Sequence, residues 1–142
     1  MSHPAVLVLA GLAIGYLYLS ALAYAVAFAA VMPPQWWIAA FSLSGTSVLS
    51  WSTLAHSVAV ILASIPFAWV IVWLYGRFSL YAAAAIGVAT WLVLEGQFVI
   101  DAFYFPRLLS IWFADTLVFV LALPLLALLF RKLPSNNRWR GP

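Results

Sequence analysis

Cysteine is missing from this chain, and charge nearly so. Without a thiol there is no disulfide, no thiolate metal site and no thiol nucleophile. Six Lys and Arg and three Asp and Glu in 142 residues leave too little charge to solvate a water-soluble globule. Histidine is scarce as well: His3 lies beside Pro4 near the N-terminus and takes no role, and His56 alone is too few for a haem held by paired imidazoles. Ser42, Ser44, Ser47, Ser50 and Ser52 are numerous, but none stands in a GxSxG elbow. Phosphate loops, dinucleotide fingerprints and c-type haem signatures are likewise missing. No catalytic residue, metal or cofactor is therefore expected.

What is present is apolar. Hydrophobic residues make up 68% of the chain, and its mean hydropathy is +1.13. The expected fold class is an all-α integral membrane protein: four transmembrane helices in one bundle over 1–133, followed by a short basic tail, 134–142. Residues 5–32 carry no charge and reach about 40 Å as a helix, more than the roughly 30 Å of bilayer hydrocarbon. Ala27 and Ala29 resemble a small-residue cleavage site, yet no Lys or Arg precedes the run and it is too long for a signal peptide. Pro33 and Pro34 end this span, and Trp36 and Trp37 read as a loop at the headgroup level. The next spans read as 51–75, 79–101, with Ser79 as N-cap, and 110–131, which stops at Arg131 and Lys132. Residues 38–50 are too polar for a lipid-facing span and too apolar for an ordinary loop, which fits a short interfacial or re-entrant helix. Five of the six Lys and Arg fall in the second connection and the tail, so both termini are expected on the cytoplasmic side. Small size, five arginines to one lysine and the absence of eukaryotic sorting signals point to a bacterial inner membrane.

Three acidic residues break the apolar runs. Counted from the outer interface, Glu95 lies about 9 Å deep, His56 about 7 Å and Asp115 about 5 Å, on three different helices. An unpaired carboxylate near a helix centre costs about 2.5 to 3.5 kcal/mol, so Glu95 is expected to face the bundle. One reading is that Glu95, His56 and Asp115 bond across helices and fix their register. Another makes Glu95 a proton site, with Tyr24 in a relay and Asp101 paired to Arg107 nearer the surface. A metal site from one imidazole and two carboxylates on separate helices matches no ligand spacing.

Two helix faces are smooth. Gly11 and Gly15 begin a four-residue spacing that continues through Ala21, Ala25 and Ala29, and 82–89 is small-residue-rich around Gly87. In lipid, helices associate by close backbone approach, so such faces pack internally or dock another chain. Tyr16, Tyr18 and Tyr24 are expected to turn inward, towards carbonyls or serines. Arg131, Lys132, Arg138 and Arg140 sit where anionic headgroups attract them by about 1 kcal/mol each. That cluster is too small for nucleic acid, and the expected partners are the bilayer and other membrane chains. The functional expectation is a small non-enzymatic accessory subunit or partner-binding component of a membrane complex. A proton-linked transporter or flippase-like protein using Glu95 is the alternative, and an intramembrane lipid-modifying enzyme the third class.

Overall fold

The computed structural model describes residues 4–29, 35–40, 45–104 and 109–132; of these, the side chains at 38, 45–50, 97–104, 109–112, 114 and 115 lie outside the description. All the described structure is helical. The order is α1 (Pro4–Ala29), α2 (Gln35–Ala40), α3 (Gly45–Tyr75), α4 (Ser79–Tyr104) and α5 (Leu109–Lys132), with a 3-10 turn, Gly76–Phe78, between α3 and α4. Pro4 opens α1 at a position where its missing N–H has no intrahelical partner to lose. Gly76 makes the sharp reversal after α3 with a left-handed φ of 50°, a conformation that glycine adopts without strain.

Two segments, Pro4–Ala29 and Trp51–Gly96, are long and apolar enough to cross a membrane. Little of either is buried within the chain, which separates them from the core helices of water-soluble proteins. Leu9, Leu12, Leu17 and Phe28 on α1 are all exposed. Helices that are apolar all round, with so much of that surface uncovered, suit a lipid solvent.

Two hydrogen bonds fix α1 against α3. The Tyr75 hydroxyl donates to the Leu7 carbonyl at 2.6 Å, and Tyr18 meets Ser64 at 2.8 Å. Eleven residues separate Leu7 from Tyr18 on α1, and eleven separate Ser64 from Tyr75 on α3. The helices therefore run antiparallel with no slip in register. Ser64 spends its single proton on the Val60 carbonyl, 2.6 Å away, so Tyr18 is the donor to Ser64. Around this pair the core collects Leu22, Val60, Ile71, Ala83 and Leu123, all fully buried.

Gly87 fixes α4 against α5. A Cβ built there would stand 3.2 Å from the Val120 carbonyl oxygen and 4.0 Å from Pro124 Cδ. Pro124 lacks the N–H that would bond Val120 four residues earlier, so this carbonyl has no helical partner. The glycine leaves room for this carbonyl, where a larger side chain would crowd it. α3 packs most extensively on α5, α5 on α4, and α1 on α3; α1 and α5 have no close backbone approach among the described residues. The helices thus stand in the ring order α1, α3, α5, α4, and the ring closes where α1 meets α4.

Three sequence expectations change. Trp36 and Trp37 lie in α2, not in a loop, and stack edge-on with Trp51 at centroid distances of 6.2 and 5.1 Å. α3 begins at Gly45 rather than at Trp51, so the second part of 38–50 extends a 31-residue helix. Ser79 is no N-cap: it is helical, with φ −55° and ψ −35°, and its buried Oγ has no hydrogen-bond partner among the described residues. The N-cap geometry needs an extended backbone, and the 3-10 turn running into α4 removes it.

Candidate functional site: a lateral groove between α1 and α4

Where the ring closes it leaves a groove of about 520 Å³. One wall is α1 from Leu7 to Leu19, the other α4 from Ala82 to Val93, and Tyr75 stops one end. The groove runs about 18 Å along α1, more than half the thickness of bilayer hydrocarbon. A second hollow, of about 300 Å³ between α3 and α5, is walled by aliphatic side chains such as Leu117, Leu121 and Leu125 and carries no polar group.

The groove exists because its walls are small. Gly11 faces the Tyr75 hydroxyl, which a Cβ would meet at 2.6 Å. The glycine lets the phenol reach past it to the Leu7 carbonyl, one turn earlier on the same face. Gly11→Ala is expected to displace the flexible end of Tyr75 and lose that bond, about 0.6 kcal/mol and at most about 1.7, a loss that alanine's helix propensity of about 1 kcal/mol offsets. Tyr75→Phe should lose the bond without that gain, and the double variant should be no less stable than Tyr75→Phe, as read from detergent unfolding curves; a double variant less stable than Tyr75→Phe would show that Gly11 serves something else. Gly15 behaves differently, since among the described residues nothing lies within 4 Å of a Cβ there. Four residues along from a tight contact, the smooth face of α1 turns to open space.

Tyr16 stands on the rim beside Gly15, 70% exposed and at the midpoint of α1. The sequence leads one to expect an inward phenol here. Tyr18 does turn inward, towards a serine, but Tyr16 and Tyr24, the latter 74% exposed, turn outward. A helix turns 100° per residue, so the positions two before Tyr18 and six after it cannot share its buried face. No described residue bonds the Tyr16 hydroxyl; its main-chain carbonyl accepts from Ser20 at 3.0 Å. Across the groove Thr90 is only 4% exposed and lines the α4 wall. Apart from the tyrosines it is the only side-chain hydroxyl among the described residues that line the groove. Counting from the Tyr75 end, Tyr16 is nine residues beyond Leu7 and Thr90 eleven beyond Ser79, roughly 14 and 16 Å, so the two hydroxyls share one depth.

Of the polar residues singled out in the sequence, His56 on α3 and Glu95 on α4 are both half-buried. By residue count they lie about 29 and 24 Å from the Gly76 turn, a similar depth. The side chains of Asp101 and Asp115, and the whole of Arg107, Arg138 and Arg140, lie outside the described residues. Among the described residues no three His, Asp or Glu side chains group as a metal site would require. Ala21 and Ala25 are half-buried on α1, whereas Gly87 is fully engaged with α5. Sequence reasoning singled out Tyr16 but missed Thr90. Their depths were available by counting, but their positions around the helix axes were not. Neither a protein-family model, nor a curated protein, nor a solved structure matches the chain.

Proposed function

We propose that the chain is a non-enzymatic, multi-pass membrane protein that works by docking another membrane chain into the α1/α4 groove. The observation that carries this reading is the Tyr16 hydroxyl, uncovered at the midpoint of α1, a helix with no charged residue. A hydroxyl with no partner in a medium that cannot hydrogen-bond costs about 4 to 8 kcal/mol against water. Lipid tails offer no acceptor at that depth, whereas a polypeptide offers carbonyls and hydroxyls. Beside it, Gly15 leaves the bare backbone that close helix approach in lipid requires.

In this reading α1, α3, α4 and α5 all cross the bilayer, in a bacterial inner membrane. Arg77 lies in the turn after α3, and Arg131 and Lys132 end α5. The Gly87 contact at Val120 and Pro124 sets eight residues back to Ser79 level with about eight forward to Phe130, so these cations share one end of the bundle with the start of α1. The positive-inside rule makes that end cytoplasmic and places both termini there.

The test is extraction of the tagged chain from its native membrane in mild detergent. A stoichiometric partner chain is expected, and Tyr16→Phe should weaken its retention about 3- to 20-fold, the range for one interhelical hydrogen bond, while leaving the helical content unchanged. Recovery at monomer mass with autonomous activity would overturn the reading.

A further inference from the structure

We infer that an anionic phospholipid seats its phosphate between the turn that follows α3 and the last turn of α5, held by Arg77, Arg131 and Lys132, with Arg77 as the bidentate contact. The inference goes beyond the docking reading and does not rest on it, since neither the groove nor a partner chain enters it.

Arg77 is exposed in the 3-10 turn, and Arg131 and Lys132 are exposed at the end of α5. The Gly87 contact with Val120 and Pro124 sets Arg77, ten residues before Gly87, level with those last two residues of α5. α5 packs on both helices that the turn joins, yet the turn makes no close backbone approach to α5 among the described residues. Three cations thus share one level on two separate elements, with room for a ligand between them.

No acidic side chain of the chain neutralises these cations. Glu95 and Asp101 lie 17 and 23 residues beyond Phe78 on α4, and Asp115 lies 16 before Arg131 on α5, so each is about 24 Å or more away along a helix axis. The sequence after Lys132 adds two arginines and no acid. Arg77 is also held: its guanidinium carbon stands 4.7 Å from the centroid of the exposed Phe78 ring. The ring occupies one face of the guanidinium and leaves the N–H groups of its edge to donate. That planar fork matches two phosphate oxygens at once, which a lysine ammonium cannot do.

The surroundings select a lipid as the source of the phosphate. Trp73 and Tyr81, each four residues from Arg77, are 66% and 75% exposed, as aromatic residues at a membrane interface are. A soluble anion would meet the cations and leave these rings bare, whereas a lipid covers both. A zwitterionic lipid brings its own ammonium and leaves the excess positive charge standing, so the headgroup is net anionic. Basic surfaces at helix ends on the cytoplasmic side bind such headgroups. Diffuse attraction to a charged leaflet counts charges alone and does not tell arginine from lysine; a built site does.

The full-length chain, purified in mild detergent, is titrated with dioleoyl phosphatidylglycerol or dioleoyl phosphatidylcholine, and bound lipid is counted by native mass spectrometry. Phosphatidylglycerol is expected to bind the more tightly. Arg77→Lys keeps the charge that orients the chain but gives up one of two hydrogen bonds, and should weaken that binding about 2- to 10-fold. Phe78→Leu should weaken it about 2- to 5-fold through the lost stack. Arg131→Gln combined with Lys132→Gln should weaken it at least as much as Arg77→Lys. Equal binding of the two lipids overturns the inference. Wild-type affinity in Arg77→Lys would assign the binding to net charge alone, and wild-type affinity in the α5 double variant would remove the bridging site. Displacement of phosphatidylglycerol by inorganic phosphate at equal concentration would make free phosphate the ligand and exclude the lipid. A partner chain present or missing on native extraction changes none of these outcomes, so the docking reading and the lipid site fail separately.

Discussion

Gly87→Leu separates α4 from α5. The first atom added at this position meets the Val120 carbonyl oxygen at 3.2 Å, with the Phe119 carbonyl and Pro124 Cδ each 4.0 Å away. Two of the three obstacles are main-chain atoms, which cannot rotate out of the way as a side-chain end can. Overpacking of this kind costs about 1 to 3 kcal/mol for small additions and more for a branched side chain. Alanine is the informative intermediate. It gains about 1 kcal/mol of helix propensity over glycine, which offsets part of the clash, so Gly87→Ala should lie near wild type or slightly below it. Leucine has the same backbone advantage and no room for its side chain. Gly96→Leu on the same helix is the control, because among the described residues nothing lies within 4 Å of a Cβ there. Unfolding of the full chain in mixed micelles, followed by circular dichroism, should place Gly87→Leu well below Gly96→Leu. Equal stability of the two would mean that α4 and α5 do not meet at Gly87.

The same position shows how far the sequence can be read. The smooth region around Gly87 is visible in the pattern 82–89, but its counterpart is a carbonyl freed by a proline thirty-seven residues later, and no pattern links the two. Runs of apolar residues bound α1 closely, since length and the absence of charge are one-dimensional properties. The start of α3 escapes the same reasoning because the edge-on contacts of Trp36 and Trp37 with Trp51 bring together residues from separate helices. α1 is the limiting case. With apolar residues on every side it has no hydrophobic phase, so Tyr16, Tyr18 and Tyr24 look alike in sequence although the middle one alone is buried. Counting residues yields depth along an axis, which is why His56 and Glu95 could be placed at similar heights. Facing requires the azimuth, and the azimuth is set by partners on other helices.

Tyr18 carries the second large effect. Its ring is fully buried against Phe67, with centroids 5.2 Å apart, and its hydroxyl donates to Ser64. In a water-soluble core, truncating such a side chain to alanine costs about 3 to 5 kcal/mol, part of it transfer from water and part the cavity left behind. Here the unfolded helix offers the ring hydrocarbon rather than water, so the transfer part shrinks and the cavity part, about 2 to 3 kcal/mol, remains for Tyr18→Ala. The polar end can be dissected separately. Tyr18→Phe leaves Ser64 donating to Val60 and removes one interhelical bond, about 0.6 kcal/mol and at most about 1.7. Ser64→Ala removes the acceptor and strands a fully buried phenol, about 1 to 3 kcal/mol. The double variant Tyr18→Phe with Ser64→Ala has no stranded hydroxyl and should be more stable than Ser64→Ala alone. The expected order of loss is therefore Tyr18→Ala, then Ser64→Ala, then Tyr18→Phe, measured by the same micelle unfolding. A larger loss from Tyr18→Phe than from Ser64→Ala would reverse the donor assignment and mean that the serine proton goes to the phenol instead of to Val60. The first and last residues of this chain of bonds lie on α1 and α3, so its direction also decides which helix holds the other in place: with Tyr18 as donor, α1 depends on an acceptor that α3 has already oriented through its own backbone.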